Sequence, residues 1–420
     1  MKKTYILLFC ISLMGCHTGN NSVKSNGDEI IRTIHLTEAI GKTRQVFLSE
    51  IADSISFIVL DTDHNSLLGN FLNFNFTNNH IFSNNYCFDW QGMFIGKTGR
   101  RGQGPCEEPG QIITKVIFKD NHFYTIATKL IEYDSLMQCT GKERSLYRLD
   151  GDRPVDFNHI SMINISSAAN AKENILLYAY PDSVFFMDTA FNIISSRQAL
   201  YPTLSSLKFV NPLGGQYTKY VTNYGNQTLF YNFFNDTVYY AESDHLTPAW
   251  IVELSDHRRV PDDLLYRGDE LLSEASIAWQ SGNLDHSELV RLTDNKAIVM
   301  AVYETSRTVF LVWNEMVQFY EIRNKKGPIP RIAFFDKQTG KTESTGENGF
   351  VDDLLDTGTY LPMWGAYNDV LIKSMWPYEL HGYMDECTRS GRKINPRLLD
   401  FAQKVSPEDN PVLIVAHLKK

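Results

Sequence analysis

The chain has 420 residues, with 40 lysines and arginines against 49 aspartates and glutamates, a formal net charge of −9. An acidic body cannot neutralise a row of phosphates, so a general nucleic-acid binder is excluded. A chain of this length usually divides into more than one domain, unless a repeated unit uses all of it.

At the N-terminus, Lys2 and Lys3 precede an apolar run from Tyr5 to Met14, followed by Gly15-Cys16. The run is too short for a bilayer span, which takes about 20 residues, so residues 1–15 read as a secretory signal. Leu13-Met14-Gly15-Cys16 also resembles the lipobox of bacterial lipoproteins. That resemblance implies that Cys16 becomes the lipidated first residue of the mature chain, ordinary signal cleavage with an incidental Cys16 being the alternative. Losing residues 1–15 removes Lys2 and Lys3 and shifts the formal charge from −9 to −11. Residues 16–29, rich in Asn, Ser and Gly, read as a flexible tether to a body at 30–420. Cys87, Cys106, Cys139 and Cys387 also remain. Their spacing fits neither a CxxC metal site nor a dense disulfide scaffold. Cys87 and Cys106 lie in one repeat and form a candidate pair, with free buried thiols as the other reading.

Beyond the tether, paired apolar runs recur, with first runs beginning near Ile81, Phe123, Leu176, Leu229, Ile298 and Val370. Examples are His122–Ile126 with Leu130–Asp134, and Ile298–Tyr303 with Thr308–Val312. Units of about 40–70 residues holding short strands predict an all-β, six-bladed β-propeller. A β-sandwich or two β domains are the alternative. Runs ending in an apolar residue and Asp, as at Asp89, Asp134, Asp188 and Asp336, predict hairpins in which the carboxylate bonds the backbone two residues on. Residues 261–282 break the pattern: Pro261, Asp262 and Asp263 suit a helix first turn, so Pro261–Trp279 reads as a helical insertion, with Gly268 a potential break. Its apolar side, Leu264, Leu265, Leu271, Leu272 and Ile277, must cover the rim or a loop face, where it could serve as a lid. Pro396–Lys404 reads as a short helix. Val412–Leu418 is a late strand, expected to close the ring by joining an N-terminal strand such as Ile30–Leu36 or Ile55–Leu60.

The stretch Phe88-Asp89-Trp90-Gln91-Gly92, running on through Gly96, Gly99, Arg100, Arg101, Gly102 and Gly104 to Pro105, resembles the strand-turn-strand and Gly-Arg-x-Gly-x-Gly-Pro loop of six-bladed β-propeller lipoproteins of Bacteroidetes, which are NHL-like in architecture. The resemblance covers most of residues 30–418. It departs at Cys106, where a glycine is usual, and in the later blades, which lack the loop. It implies the fold and a lipid-anchored place in the bacterial cell envelope, at the outer membrane. On physical grounds the glycine loop is a wide crossing between blades; an anion cradle would need a helix after the loop, and Pro105 opposes one.

No catalytic residue, metal-ligand set or cofactor motif emerges. Asp356-Thr357-Gly358 has the shape of an aspartic-protease triplet, yet no second triplet exists to share a proton, so it reads as a turn. Asp352 and Asp353 beside it read as a solvated acidic loop. Ser205–Lys208 matches Ser-x-x-Lys without companion motifs. The expected function is therefore a membrane-tethered binding or scaffolding module for a glycan, peptide or envelope protein. A propeller hydrolase or lyase working at the channel mouth is the alternative. Candidate ligand-binding residues are Arg100, Arg101, Trp364 and Trp376. At least half of Trp90, Trp250, Trp279, Trp364 and Trp376 are expected to be packed between blades.

Overall fold

The structure is a computed structural model that describes residues 23–24, 30–69, 72–108, 115–126, 129–145, 165–179, 183–198, 221–225, 227–232, 235–283, 287–315, 330–347, 349–362 and 365–420. It begins with β1 (Val23–Lys24) and β2 (Ile30–His35), then short helices α1 (Leu36–Ile40) and α2 (Leu48–Ile51), then β3 (Ala52–Val59). Blade 1 is β4 (Phe74–Phe76), β5 (His80–Ser83), β6 (Tyr86–Asp89) and β7 (Phe94–Lys97), followed by a crossing with β8 (Arg100–Arg101) and β9 (Glu107–Glu108). Blade 2 is β10 (Lys115–Lys119), β11 (His122–Ile126), β12 (Lys129–Tyr133) and β13 (Cys139–Ser145). Blade 3 is β14 (Ile165–Ala171), β15 (Asn174–Ala179), β16 (Ser183–Met187) and β17 (Ile193–Gln198). Blade 4 is β18 (Val221–Tyr224), β19 (Gln227–Tyr231), β20 (Thr237–Ala241) and β21 (Leu246–Glu253), followed by helices α3 (Asp262–Gln280) and α4 (Glu288–Thr293). Blade 5 is β22 (Ala297–Glu304), β23 (Thr308–Glu315), β24 (Arg331–Asp336) and β25 (Thr342–Ser344), followed by a hairpin of β26 (Phe350–Asp352) and β27 (Gly358–Tyr360). Blade 6 uses β28 (Gly365–Tyr367) and β29 (Val370–Met375), then helices α5 (Pro377–Ser390) and α6 (Pro396–Ala402), then β30 (Val412–Leu418), with β3 as its outermost strand.

The chain is a six-bladed β-propeller, as the repeat pattern predicts. Blades stack face to face, so their middle strands are buried on both sides and read as unbroken apolar runs. Every residue of β22 is buried, and so are all but the two end residues of β23. In five blades the first run seen in the sequence is the second strand. The exception is Ile298, which lies on β22, the innermost strand of blade 5. There, Gly365 on β28 adopts φ +83°, and a Cβ at this position would lie 1.9 Å from the ring of Tyr303. Only glycine permits both the backbone and the contact.

The aspartates do what their position predicts. Oδ1 of Asp89 accepts the N–H groups of Gln91 and Met93, both at 2.9 Å. Asp134 repeats this with Leu136 and Gln138 at 2.9 Å, and Asp336 with Gln338 at 2.8 Å and Thr339 at 3.0 Å. Each such turn then needs a residue at positive φ: Gly92 and Gly340 in blades 1 and 5, but Met137 and Phe191 in blades 2 and 3. A left-handed non-glycine costs about 1–2 kcal/mol. Here burial offsets it, since Met137 and Phe191 fill the cores between blades and each gains about 2 kcal/mol.

Ring closure is more extensive than the sequence suggests. β30 lies between β29 and β3, with Val370 opposite His417 and Ile55 opposite Ala416, so the C-terminal strand is sealed by an N-terminal one. Of the two N-terminal candidates, only the second closes blade 6. The first, β2, pairs parallel with β21, the outer strand of blade 4, from Arg32 opposite Trp250 to His35 opposite Glu253. Between them the chain crosses blade 5, where Arg44 bridges to Thr345 and Phe47 to Val351. Residues 30–59 thus form a belt along blades 4, 5 and 6. Its Ile34, Leu36, Ile40, Val46, Leu48, Ala52 and Ile55 enter the largest core cluster. Val23–Lys24, within the span expected to be a free tether, pairs with Ile30–Ile31. α3 runs through Gly268 without a break, and Leu271, Ala275 and Leu289 of α4 bury themselves in the same core.

The cysteine expectation needs correction. Cys106 is joined to Cys139, not to Cys87, with Cα atoms 6.2 Å apart. Cys87 points from β6 into the packed interface between blades 1 and 2, beside Phe82, Phe123 and Met137, and is fully buried. Cys106 lies on the crossing, which folds back over blade 2 where β13 begins.

Candidate functional site

In a blade whose strands alternate in direction, the first-to-second and third-to-fourth connections emerge on one face, and the second-to-third and blade-to-blade connections on the other. The first face carries tight turns such as Asp120-Asn121 and Thr305–Arg307. The second carries the glycine crossing, α3 and α4, the β26–β27 hairpin, and α5 and α6. Among the described residues the first face thus carries mainly tight turns and the second holds the long insertions, which makes the latter the candidate recognition surface.

The glycine crossing is self-occupied. Oε2 of Glu107 accepts the N–H of Gly104 at 2.9 Å, and a Cβ on Gly102 would meet that oxygen at 1.9 Å. A carboxylate of the chain itself therefore fills the cradle, and the glycines allow its close approach. Glu143 fastens the loop to blade 2 by accepting the Cys106 N–H at 2.8 Å and pairing with Lys129 at 3.1 Å. The Cys106 N–H, followed by Lys129, holds Glu143 below the usual carboxylate range. Arg100 is exposed on this crossing, while Arg101 is described by its backbone in β8.

On the blade 6 side, Trp376 caps α5, where its N–H donates to Glu379 at 3.0 Å and Pro377 takes the first helical position. Trp376 stacks on Tyr378 with ring centroids 6.0 Å apart and planes at 22°. Tyr378 is 56% exposed, so the pair presents an aromatic shelf to solvent. Lys373, three residues before Trp376, donates to the Thr359 carbonyl at 2.9 Å and lies over the Tyr360 ring. Burial holds its pKa below the ordinary lysine value, against the pull of Asp352 and Glu379. Asp352 is buried and accepts the N–H groups of Leu354 and Leu355 at 3.2 and 3.0 Å and the Thr357 hydroxyl. It is thus a hairpin-organising residue, not part of a solvated loop, and Asp356-Thr357-Gly358 is its turn, with Asp356 at φ +60°.

Between blades 4 and 5 a cleft of about 380 Å³, part of it open solvent, is lined by Tyr231, Asn235, Val260 and Ile298 and rimmed by an Arg259–Asp236 pair at 3.0 Å. At the other end of β22 in the same junction, buried Glu304 accepts from Tyr240 at 2.9 Å, Trp250 at 3.3 Å and Lys337 at 2.5 Å. Burial, with Glu304 beside it, pushes the Tyr240 phenol up. Among the described residues no group of three or more His, Cys, Asp and Glu is placed to hold a metal ion.

Of the tryptophans, Trp250 and Trp313 are buried. Trp90 is half-buried, donates to the Thr77 carbonyl at 3.0 Å and stacks on Phe76 and Tyr367. Cys16, Ser205–Lys208 and Trp364 lie outside the described residues, as do the side chains of Arg101, Leu264, Leu265, Leu272 and Trp279. Tyr378 and Glu107 escaped the sequence reading. Trp-Pro-Tyr, an aromatic pair around a helix-starting proline, was the signal for the first; Glu107 had none.

Comparison with solved structures gives the fold. The crystal structure of a "Putative exported protein" from Bacteroides fragilis matches with a TM-score of 0.59 at 18% identity, covering 90% of this chain and 98% of that one. BamB from Moraxella catarrhalis is similar over 69% of this chain and 62% of its own, with 12% identity and a TM-score of 0.29. The WD40 β-propeller domain of Doa1 has a TM-score of 0.32 at 10% identity, over 70% of this chain and 75% of that one. Among curated proteins none matches. Residues 31–417, from the belt to the closing strand, match the family described as Domain of unknown function (DUF4934), and the chain belongs to that family.

Proposed function

We propose that this propeller is an extracytoplasmic, lipid-anchored binding module that recognises a glycan, a peptide or an envelope protein through its long-connection face. The observation that carries this reading is the asymmetry of the faces: tight turns on one side, helices, hairpin and disulfide-pinned crossing on the other, with the Trp376–Tyr378 shelf among them. A stacked, partly exposed aromatic pair suits the apolar face of a sugar ring or a peptide side chain. Export is supported by the signal-like residues 1–15, by the Cys106–Cys139 disulfide, which forms in oxidising compartments, and by the description of the Bacteroides fragilis protein. Attachment through Cys16 is supported by Gly15-Cys16 at the end of the short apolar run.

The soluble domain, residues 30–420, is to be assayed against envelope and dietary glycans for binding and for turnover. Trp376→Ala is expected to weaken binding about tenfold, roughly 1.4 kcal/mol, with the thermal midpoint unchanged. Product formation abolished by a single channel-facing substitution would instead establish a hydrolase or lyase. Mass spectrometry of envelope fractions tests the anchor: a chain starting at Met1 without lipid overturns it.

A further inference from the structure

The cleft between blades 4 and 5 opens on the long-connection face, and its floor and rim differ in character. The floor is Val252 of β21, Val260 of the connection that follows, and Ala297 and Val299 of β22, all buried. The rim is the Arg259–Asp236 pair at 3.0 Å, with both side chains near half exposure. Between them the enclosed space is narrow, about the size of one water molecule or one methyl group.

Backbone hydrogen bonds fix this arrangement. Asp236 sits on the β19–β20 turn, where its carbonyl accepts the Val252 N–H at 2.6 Å and its Oδ1 accepts the Thr237 hydroxyl at 2.9 Å. Arg259 donates its backbone N–H to the Ser255 carbonyl at 2.8 Å, and the Arg258 carbonyl accepts the Ala297 N–H at 2.8 Å. The Arg258 side chain is engaged elsewhere, by the Asn295 carbonyl at 3.1 Å and Glu315 at 3.7 Å. A guanidinium, a carboxylate and a methyl-sized apolar slot are thus held side by side. A ligand anion would be repelled by Asp236, and a ligand cation by Arg259. A hydroxyl satisfies both rim groups but leaves the slot unfilled. A neutral secondary amide that ends in a methyl group satisfies all three.

We infer that this cleft binds the acetamido group of an N-acetylated amino sugar. This rests on the reading that the long-connection face recognises a glycan, and it gives the class of that glycan. The Asp236 carboxylate accepts the amide N–H, Arg259 donates to the amide carbonyl, and the methyl group enters between Val252, Val260, Ala297 and Val299. The sugar ring stays outside, on the face that also carries the Trp376–Tyr378 shelf. One buried methyl group and two charge-assisted hydrogen bonds, net of desolvation, are worth about tenfold or more in affinity over the same sugar without the acetamido group.

The full chain in detergent is titrated calorimetrically with N,N′-diacetylchitobiose, with its dibutyryl analogue, with cellobiose and with an acetyl-lysine peptide. The diacetylated disaccharide is expected to bind about tenfold or more tightly than cellobiose. Arg259→Ala is expected to lower that affinity about tenfold with the thermal midpoint unchanged, since Arg259 is an exposed rim residue. Ala297→Leu fills the slot and is expected to abolish the preference for the acetyl group. Should that variant fail to fold, Arg259→Ala and the dibutyryl analogue, whose longer chain the slot excludes, carry the test. Equal binding of diacetylchitobiose and cellobiose overturns the inference and leaves the glycan reading intact. A preference for the acetyl group that survives Arg259→Ala also overturns it, because the preference then arises elsewhere. Binding of the peptide alone, lost in Arg259→Ala, overturns the sugar as the ligand. If neither sugar nor peptide binds, the inference is overturned, and the glycan assay with Trp376→Ala decides the wider reading separately.

Discussion

Blades 4 to 6 and blades 1 to 3 solve the same assembly problem with different means. On the first side the belt of residues 30–59 crosses three outer edges and contributes seven buried apolar residues to one core that runs from Leu176 and Phe186 of blade 3 to Leu418. On the second side separate, smaller clusters lie between neighbouring blades, and the work of the belt falls to a disulfide and to side chains that reach across to backbone. Lys119 of blade 2 donates to the Lys172 carbonyl of blade 3 at 2.6 Å, and at the boundary between the halves Asn174 of blade 3 donates to the Ser243 carbonyl of blade 4 at 2.5 Å. A propeller needs only one sealed junction to close its ring. Extending the seal over half the circumference makes that half a single cooperative body, while the other half remains a series of paired blades.

The largest effect that tests this contrast is loss of the belt. Deleting residues 30–59 exposes β30 as an unpaired edge and removes side chains whose burial contributes about 1.5–3 kcal/mol each, together comparable to the ~5–15 kcal/mol that holds a domain folded. No soluble, cooperatively melting protein is expected, whereas removal of residues 1–29 leaves the melt intact. A folded product from the first deletion would show that the belt is decoration.

Within the belted half, Gly365→Ala is expected to cost about 4 kcal/mol by chemical denaturation, because positive φ and the collision with Tyr303 act together. Gly225→Ala shares the positive φ but meets nothing within 4 Å, and about 1 kcal/mol is expected there.

In the unbelted half the comparable device is the disulfide. Cys106 and Cys139 are 33 residues apart, and opening that loop is expected to lower stability by about 3–4 kcal/mol. The double alanine variant checks this by denaturation in the absence of reductant. If blades 1 to 3 melt as a separate transition in that variant, the division of the ring is sharper than the cores alone imply.

The blades were legible because face-to-face packing buries both sides of their middle strands, as in Ile298–Tyr303 and Thr308–Val312, and because an aspartate marks the third-to-fourth turn in four of them. The belt was not. Ile30–His35 meets partners near residue 250 and Arg44 meets Thr345, and no local pattern encodes a parallel pairing over that separation. Helix α5 carried its own signals, Pro377, Glu379 and Gly391, yet followed a strand whose partner was expected after a short turn. For the candidate site, Trp376 was visible as an aromatic residue outside the strand pattern, while Glu107 filling the glycine loop depends on a fold-back that spacing alone does not reveal. The partner of Cys106 was set by the path of the crossing over blade 2, not by proximity in sequence.

The smallest expected effect asks whether the turn aspartates are a device common to both halves. Replacing Asp89, Asp134, Asp188 or Asp336 by Ala removes backbone hydrogen bonds worth about 1 kcal/mol in each case, irrespective of the belt. For Asp188 and Asp336 the cost depends on pH. Burial pulls both pKa values upward, but hydrogen bonds from Asn192 in one case, and from the Thr339 N–H and Arg307 in the other, outweigh it and leave both carboxyls below their ordinary value. A carboxyl lowered in the folded state contributes stability that is complete above its unfolded pKa near 4 and disappears as pH falls through the folded value. Melting temperatures measured from pH 5 to pH 2 are therefore expected to fall less steeply in Asp188→Ala and Asp336→Ala than in the parent, by similar amounts. A slope that flattens only for Asp336 would mean that Arg307, which pairs with it at 2.8 Å, and not the turn geometry shared by the blades, sets the acid sensitivity.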